Sequence, residues 1–236
     1  MSIRQLYNTS ASSTLRSKTK SLIQTTPHNL TFTRSIYLHK GPRIEGLKKD
    51  PKEAFINSNG IEYELNTENI KHIKSFLGDN YKIPDEIALQ IITHKSFGNG
   101  IKPYNEKLAA MGSKLLNLSL AKHVINSPQQ NQPQQLQING LNLSILGTPL
   151  SKELSSRKST GYFAKLNNLN KIMFWKSRNP TLNFEQSGEL KVSSQLIYSL
   201  IGAINYHYGK HKAEEFINEK FVKKLTDITS DIVNRV

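Results

Sequence analysis

The chain has 236 residues, of which 36% are hydrophobic, and carries a formal net charge of +14. This length suits one well-buried domain with extensions and is too short to favour two large domains. The sequence contains no cysteine, which excludes disulfides, thiolate metal sites and a cysteine nucleophile, and which fits a reducing compartment.

The positive charge is concentrated in two segments. Residues 1–44 contain seven lysines and arginines and no acid, and residues 151–180 contain seven against Glu153 alone. The acid-free, hydroxyl-rich composition of residues 1–40 predicts a mitochondrial transit peptide. The alternative is a basic arm that binds RNA in the mature protein. We interpret residues 41–65 as an N-terminal extension.

Helical patterning begins after this extension. The segment 66–78 carries a stripe of apolar residues and ends in Gly78, which predicts a short amphipathic helix with a glycine cap. Pro84, followed by two acidic residues, starts a second helix that we expect to reach His94. The apolar spacing within 105–124 predicts a longer, central helix with one buried face.

The C-terminal half continues the helical pattern. Residues 126–137 are rich in Gln and Pro and are predicted to form a surface insertion. The basic segment 151–180 is expected to hold one or two helices. A mainly hydrophobic helix is predicted over 192–208, and it contains too many polar residues to span a membrane. A final amphipathic helix is predicted over 212–232. Because no sustained strand alternation occurs, the predicted fold class is all-α.

Three segments resemble, in the right order, the RNase III family. Residues 105–116, NEKLAAMGSKLL, are similar to its signature helix, roughly NERLEFLGDAVL. Residues 83–97 resemble the helix before the signature, and residues 191–209, KVSSQLIYSLIGAINYHYG, resemble the second acidic helix, roughly ADTVEALIGAIYLDGG. The resemblance implies the RNase III endonuclease-domain fold over residues 66–225, with a helix end or tail at residues 226–236.

The same resemblance implies that the metal-binding acids of the family are replaced. The family's second glutamate and its aspartate fall on Ala109 and Ser113, and the acids of the later helix fall on Gln195 and Tyr198. Glu106 remains, either as a leftover ligand or as an acid that suits a helix start. Since Mg²⁺ is held by carboxylates in two-metal hydrolysis, we expect no bound metal, no cofactor and no ribonuclease activity.

RNA contact is expected from the domain surface, because no double-stranded-RNA-binding domain is predicted after the last helix. For the basic segment we favour RNA contact over merely solvated charge, since its excess of cations is typical of phosphate-binding regions. Its tryptophan either stacks on unpaired bases or lies in the core. The candidate RNA-binding residues are Lys152, Arg157, Lys158, Lys165, Lys171, Trp175, Lys176 and Arg178.

A mitochondrial leader and an RNase III-like fold without its acids are similar to the RNase III-like proteins of the fungal mitochondrial large ribosomal subunit. The resemblance implies a non-enzymatic scaffold in the mitochondrial matrix, bound to mitochondrial ribosomal RNA and to other large-subunit proteins. RNase III domains dimerise partly through the signature helix. Ala110 replaces a bulky aromatic there, which favours a heterodimer with a second RNase III-like protein.

Two alternatives to the ribosomal role remain open at this point. The first is a non-catalytic subunit of a mitochondrial RNA-processing ribonuclease, whose competent partner supplies the acids. The second is a weak nuclease that uses unusual metal ligands.

Overall fold

A computed structural model of the chain describes residues 50, 54–127, 138–139, 141, 143–177, 179 and 181–234. The predicted transit peptide (residues 1–40), residues 128–137 of the predicted insertion and Arg178 lie outside the described residues.

The described residues are mainly helical. In chain order the helices are α1 (Thr67–Leu77), α2 (Asp85–Ile91), α3 (Glu106–Asn126), α4 (Pro149–Leu154), α5 (Arg157–Leu166), α6 (Glu189–Tyr208), α7 (Lys210–Ile217) and α8 (Lys223–Val233). Short 3₁₀ turns lie at Asp79–Tyr81, Phe97–Gly100 and Leu143–Gly147. Isolated bridges but no strands occur within the described part of the chain, so the all-α prediction is confirmed. No described helix is long and apolar enough to cross a membrane.

The fold is organised around the crossing of α3 and α6, which form the most extensive helix contact among the described elements. Gly112 of α3 and Gly202 of α6 lie at this crossing. A Cβ atom at Gly112 would lie 1.9 Å from the carbonyl oxygen of Tyr198, and one at Gly202 would lie 2.0 Å from that of Leu108. The two backbones are therefore in direct contact, and a side chain at either glycine would force the helices apart.

Helix α6 is the central helix of the described domain. From Leu196 to Ile204 every residue except Tyr198 is buried, with α3 packed on one part of its surface and α5 on another. A helix that is apolar on most of its surface belongs in the interior of a protein. The helix starts at Glu189, three residues before the predicted start, and ends at Tyr208, directly before Gly209, which has a φ of 84°.

A cluster of aromatic rings joins α1, α5, α7 and the turn at Asn218–Val222 that follows α7. Phe163 and Phe221 stack with their ring centroids 4.6 Å apart. The ring of Phe76 meets those of Phe163, Phe216 and Phe221 edge-on at 6.0 to 6.3 Å, and Tyr81 lies 4.7 Å from Phe216. Edge and offset contacts of this kind are the favoured geometries of aromatic pairs. Helix α1 therefore shares one hydrophobic core with the C-terminal helices.

The predicted final helix is interrupted by a π-helical turn at Asn218–Val222, between α7 and α8. The prediction of helix at 212–232 is right, but that of one regular helix is wrong. Buried residues recur at every fourth position, at Ala213, Ile217, Phe221, Leu225 and Thr229. A four-residue spacing exceeds the α-helical repeat of about 3.6 residues, so this stripe would drift around a regular helix. The wider π turn compensates for the drift.

The second predicted helix ends at Ile91 and does not reach His94, so that boundary was wrong. The Phe174 N–H donates to the carbonyl of Ile92 at 2.9 Å, and the His94 N–H donates to the carbonyl of Phe174 at 2.8 Å. These two bonds hold residues 92–94 in an extended pairing with the aromatic–basic run. The run at residues 173–176 is accordingly extended, and the helices of the basic segment are α4 and α5.

Residues on both sides of the predicted domain limits pack against the same core. The ring of Tyr63, within the predicted N-terminal extension, lies 5.1 Å from Phe174 and 5.7 Å from Phe97. Ile228, beyond the predicted limit at residue 225, also packs against the core. Residues beyond both limits thus contact the core, and the domain limits at residues 65 and 225 stay predictions.

Candidate functional site

The four positions predicted to have lost acids lie around the α3–α6 crossing. Ala109 and Ser113 are within one turn of Gly112, whose Cα faces the carbonyl of Tyr198. Ala109 is buried, and the hydroxyl of Ser113 donates to the carbonyl of Ala110 at 3.0 Å. The structure thus brings residues from two distant segments to one place through the contact of two glycine-lined backbones.

Gln195 is fixed by a chain of amide hydrogen bonds. Its Nε2 donates to Asn105 Oδ1 at 2.9 Å, and Asn105 Nδ2 donates in turn to the carbonyl of Ile91 at 2.9 Å. Asn105 is 1% exposed, so this bond satisfies a side chain that would otherwise be costly to bury. Gln195 links α6 to the start of α3 and to the end of α2, and a carboxylate could not donate the first of these bonds.

His94 completes this network as a neutral ring. Its Nδ1 accepts a hydrogen bond from the Ser96 N–H at 3.1 Å and lies 2.9 Å from Ser96 Oγ. The ring proton is therefore assigned to Nε2. Burial lowers the pKa of His94, and the charges of Lys191 and Lys95 lower it further, while Gln195 and Glu106 oppose the shift. The histidine has a structural role in this network.

Tyr198 is tied to α5 rather than turned towards solvent. Its hydroxyl accepts a hydrogen bond from Thr160 Oγ1 at 3.2 Å, and Thr160 is itself fully buried. Burial raises the pKa of the Tyr198 phenol, while the bond with Thr160 and the charge of Arg157 act against this rise. The phenol therefore stays protonated at neutral pH and is a poor metal ligand.

Glu106 is half-exposed and already paired. Its carboxylate lies 3.0 Å from the Lys95 ammonium, and the side chains of both residues are 51% exposed. An ion pair this exposed contributes little to stability. The pair does, however, place a cation beside this carboxylate.

This donor set does not fit a pair of Mg²⁺ ions, which the RNase III fold would lead one to expect. Hard divalent cations need several oxygen ligands with compensating negative charge. The crossing instead offers an amide, a protonated phenol, a hydroxyl and one carboxylate already bound to a lysine. In the described part of the chain, no group of three or more His, Asp or Glu side chains is placed to hold a metal ion.

The candidate RNA-binding residues on α4 and α5 are exposed, as expected. Lys152 lies on α4, Arg157 and Lys158 form the first turn of α5, and Lys165 lies in its last turn. The ammonium of Lys165 sits 4.6 Å from the centroid of the Phe184 ring. These cations are spread over both helices and do not form a single cluster.

The remaining described candidates follow α5, with Lys171 in a bend and Trp175 and Lys176 on the extended run. Lys171 is exposed close to His72, and Lys176 is exposed beside Ser96, whose Oγ accepts a hydrogen bond from the Lys176 N–H at 2.9 Å. Trp175 is half-buried and packs against the hydrophobic core. This placement favours the core role for Trp175 over base stacking, and the question of RNA contact stays a prediction.

Sequence reasoning did not single out Lys95 and Lys191. Both lie near His94, and Lys176 of the basic segment is placed in the same region by the bond from its N–H to Ser96 Oγ. The signal for Lys191 was its position four residues before Gln195, which puts both side chains on one face of a helix. The position of Lys95 depends on the non-helical geometry after α2, which the pattern did not predict.

Comparison with known proteins agrees with the fold. The family model described as ribonuclease-III-like matches residues 84–225. A protein of Neurospora crassa named large ribosomal subunit protein mL57 is 26% identical over 201 residues, covering 79% of this chain and 72% of the relative. A Schizosaccharomyces pombe protein of the same name is 24% identical over 183 residues, covering 75% of this chain and 80% of the relative.

A bacterial enzyme is also similar. Ribonuclease 3 of Corynebacterium jeikeium is 22% identical over 147 residues, which cover 61% of this chain and 55% of the enzyme. The family model spans more than half of the chain and includes both α3 and α6, the two helices that form the crossing. The chain belongs to the ribonuclease-III-like family.

Proposed function

We propose that this chain is a structural component of the mitochondrial large ribosomal subunit, where it acts as a non-catalytic scaffold that docks on ribosomal RNA and neighbouring proteins. The observation that carries the proposal is its similarity, along three quarters or more of its length, to two fungal proteins named as large-subunit proteins. Localisation in the mitochondrial matrix follows from this role and is supported by the leader-like composition of residues 1–40.

The absence of catalysis is part of the same proposal. Ala109, Ser113, Gln195 and Tyr198 offer no carboxylate. The two hydrogen bonds that fix Gln195 and Asn105 depend on neutral amide groups. Two-metal hydrolysis requires negative ligands that hold both ions and activate a water molecule. We expect the pure protein to leave double-stranded RNA intact with Mg²⁺ present. Metal-dependent cleavage that Glu106→Gln abolishes would contradict this.

The basic segment is proposed to neutralise ribosomal RNA phosphates. Support comes from the exposure of Lys152, Arg157, Lys158, Lys165 and Lys176. Charge reversal at Lys165, Lys171 and Lys176 should weaken assembly in a salt-dependent way, because each phosphate contact releases condensed counterions. If the charge-reversed variant assembles like the wild-type protein across a salt series, another surface contacts the RNA.

The partner is proposed to be a second RNase III-like protein that covers the outer face of α3. Lys107, Ala110, Lys114 and Leu118 follow one another at helical spacing on this face, and all are exposed. A second copy of the chain would bring two lysine-bearing faces together, whereas a different subunit can supply acids and a larger side chain opposite Ala110. A stable homodimer of the pure protein at low micromolar concentration, measured by light scattering, would count against this.

The alternative function is a non-catalytic subunit of a mitochondrial RNA-processing ribonuclease. The observation that favours it is the similarity to the Corynebacterium jeikeium enzyme named Ribonuclease 3. A competent partner would then supply the acids that Ala109 and Gln195 lack.

One experiment separates the two functions. A mitochondrial lysate is sedimented through a sucrose gradient, with and without Mg²⁺ chelation, and this protein is followed together with known large-subunit proteins. Co-sedimentation with the large subunit in near-equal amount is expected for the structural role. Recovery in light fractions that cleave RNA would instead identify the processing subunit.

A further inference from the structure

Three side chains of α6 form a row at the α3–α6 crossing. Lys191, Gln195 and Tyr198 are spaced four and three residues apart, which places them on one face of the helix. Gln195 and Tyr198 are half-buried and bonded to Asn105 and Thr160, whereas Lys191 is exposed at the N-terminal end of the row.

Two further lysines approach the same row from other segments. The Asn105 N–H donates to the carbonyl of Thr93 at 3.0 Å, and Asn105 Oδ1 accepts from Gln195 Nε2 at 2.9 Å. The segment 94–96, which follows Thr93, therefore lies beside Gln195 of α6. Lys95 belongs to this stretch, and Lys176 is held beside it by the 2.9 Å bond from its backbone N–H to Ser96 Oγ. Lysines from three separate parts of the sequence therefore lie on one side of Gln195.

Arg157 lies at the other end of the row. It is the first residue of α5 and is exposed. Thr160, one turn further along α5, bonds the Tyr198 hydroxyl at 3.2 Å, and the charge of Arg157 acts on that same phenol. The row from Lys191 to Tyr198 thus has cations at both ends.

The cations of this surface greatly outnumber its acids. Glu106 is paired with Lys95, which leaves Arg157, Lys176 and Lys191. Among the described residues, these three have no carboxylate within ion-pair distance. A cluster of like charges without counterions raises the local concentration of anions and is a surface suited to binding them.

We propose that this cation row, defined as Lys95, Arg157, Lys176 and Lys191 around Gln195 and Tyr198, binds the phosphodiester backbone of RNA directly and without a metal ion. In a two-metal nuclease, divalent cations lie between carboxylates and the phosphate. Here the side chains themselves carry the positive charge. The surface predicted to have lost its acids is therefore a binding surface of opposite charge, not an empty remnant.

The choice of RNA as the anion rests on the proposed function, because ribosomal RNA is the polyanion that a ribosomal scaffold meets. The geometry supports it independently, since the cations extend along a row instead of converging on one point. A backbone with regularly repeated phosphates can engage such a row at several positions. An acidic protein segment is the competing ligand and is an outcome of the test below.

The test measures binding of the full chain to a short fluorescein-labelled RNA duplex by anisotropy over a salt series, in EDTA and in Mg²⁺. Wild-type affinity should be no lower in EDTA. The double variant Arg157→Gln/Lys191→Gln should lower affinity on the order of tenfold and reduce the salt slope by about 0.7–0.9 for each lost contact. Arg157→Lys/Lys191→Arg should restore most of the affinity, since it keeps both charges.

The matched control is Lys114→Gln/Lys223→Gln, which removes the same charge from two exposed lysines of α3 and α8. An equal loss in the control and in the site variant would mean that net charge alone governs binding, and the proposal would be wrong. Displacement of the duplex by poly-glutamate as readily as by unlabelled RNA would also overturn it, because the surface would not prefer phosphodiesters. Loss of wild-type binding in EDTA would have the same consequence.

Failure here is distinguishable from failure of the proposed function. If the Arg157→Gln/Lys191→Gln variant binds the duplex like the control but the wild-type protein still sediments with the large subunit, the ribosomal role stands and the cation row is wrong. If the site variant alone loses duplex affinity, the cation row stands whatever the sedimentation shows.

Discussion

The aromatic cluster and the polar network around Gln195 hold the same domain together by different means. Around Phe163, buried and half-buried rings pack edge-on or stacked, and the ring contacts depend on shape. Around Gln195, neutral side chains are fixed by directed hydrogen bonds. Neither region uses a buried charge. The fold is therefore stabilised by features that do not need the acids of an RNase III site, so catalytic ligands could be exchanged there without loss of the domain.

The largest expected change in stability comes from removing a ring from the aromatic cluster. Phe163→Ala should cost about 3–5 kcal/mol of unfolding free energy, because it opens a cavity that neighbouring rings cannot fill. Phe184→Ala, at a half-buried ring outside the core, should cost about 1 kcal/mol. Urea unfolding of both variants measures the difference. Equal costs would mean that the cluster is not the main source of stability.

The second test acts on the helix crossing itself. Gly112→Ala should cost about 3 kcal/mol or more, because its Cβ would overlap the carbonyl of Tyr198. Gly147→Ala meets no atom within 4 Å and should be neutral or slightly stabilising, by about 0.4–1 kcal/mol. The melting temperatures of the two variants provide the comparison. A well-tolerated Gly112→Ala would show that the backbones are not in the described contact.

A smaller effect is expected in the polar network. Gln195→Ala should cost about 1–3 kcal/mol, since it leaves the buried Asn105 Oδ1 without its donor. Gln186→Ala, at an exposed glutamine, should change stability by less than about 0.5 kcal/mol. Equilibrium unfolding at neutral pH measures both. If the two variants are equally stable, the network is not a structural element.

The smallest expected effect is on the pH dependence of stability. Burial lowers the pKa of His94 and of His72 in the folded chain. The unfolded chain therefore takes up protons at about pH 6.5 while the folded chain does not, so stability is present above this pH and is lost as the pH falls below it. The slope is at most about 1.4 kcal/mol per pH unit for each ring.

The variant His94→Asn tests this assignment. Its side-chain oxygen can still accept from the Ser96 N–H, but it cannot titrate. Urea midpoints measured from about pH 7.5 to 5.5 should fall less steeply for His94→Asn than for the wild-type protein. Parallel curves would assign the proton uptake to another group.

Much of the helical fold was accessible from local pattern. The helix over 66–78 was predicted from its apolar stripe and its terminal glycine, and α3 and α6 from long periodic segments. These signals lie within one element and do not depend on the rest of the chain. The family resemblance added the order of the helices and the place of the crossing.

The misplaced features depend on contacts between distant residues. The second helix stops at Ile91 because the following backbone pairs with Phe174, more than 80 residues later. The π turn at Asn218–Val222 is determined by packing against the core and not by a local propensity. Lys95 and Lys191 were missed because only packing of α6 against residues 94–96 brings them together.

The contact of Phe76 with Phe216 and Phe221 also bears on the order in which the chain can fold during synthesis. Helix α1 is the first of the described helices to emerge, but Phe216 and Phe221 are made about 140 residues after Phe76. Until Phe221 has left the translating ribosome, the apolar stripe of α1 is only partly covered, by α2 and Phe163. Truncated chains that end before α7 should therefore be captured by chaperones, whereas chains extended past α8 should escape them.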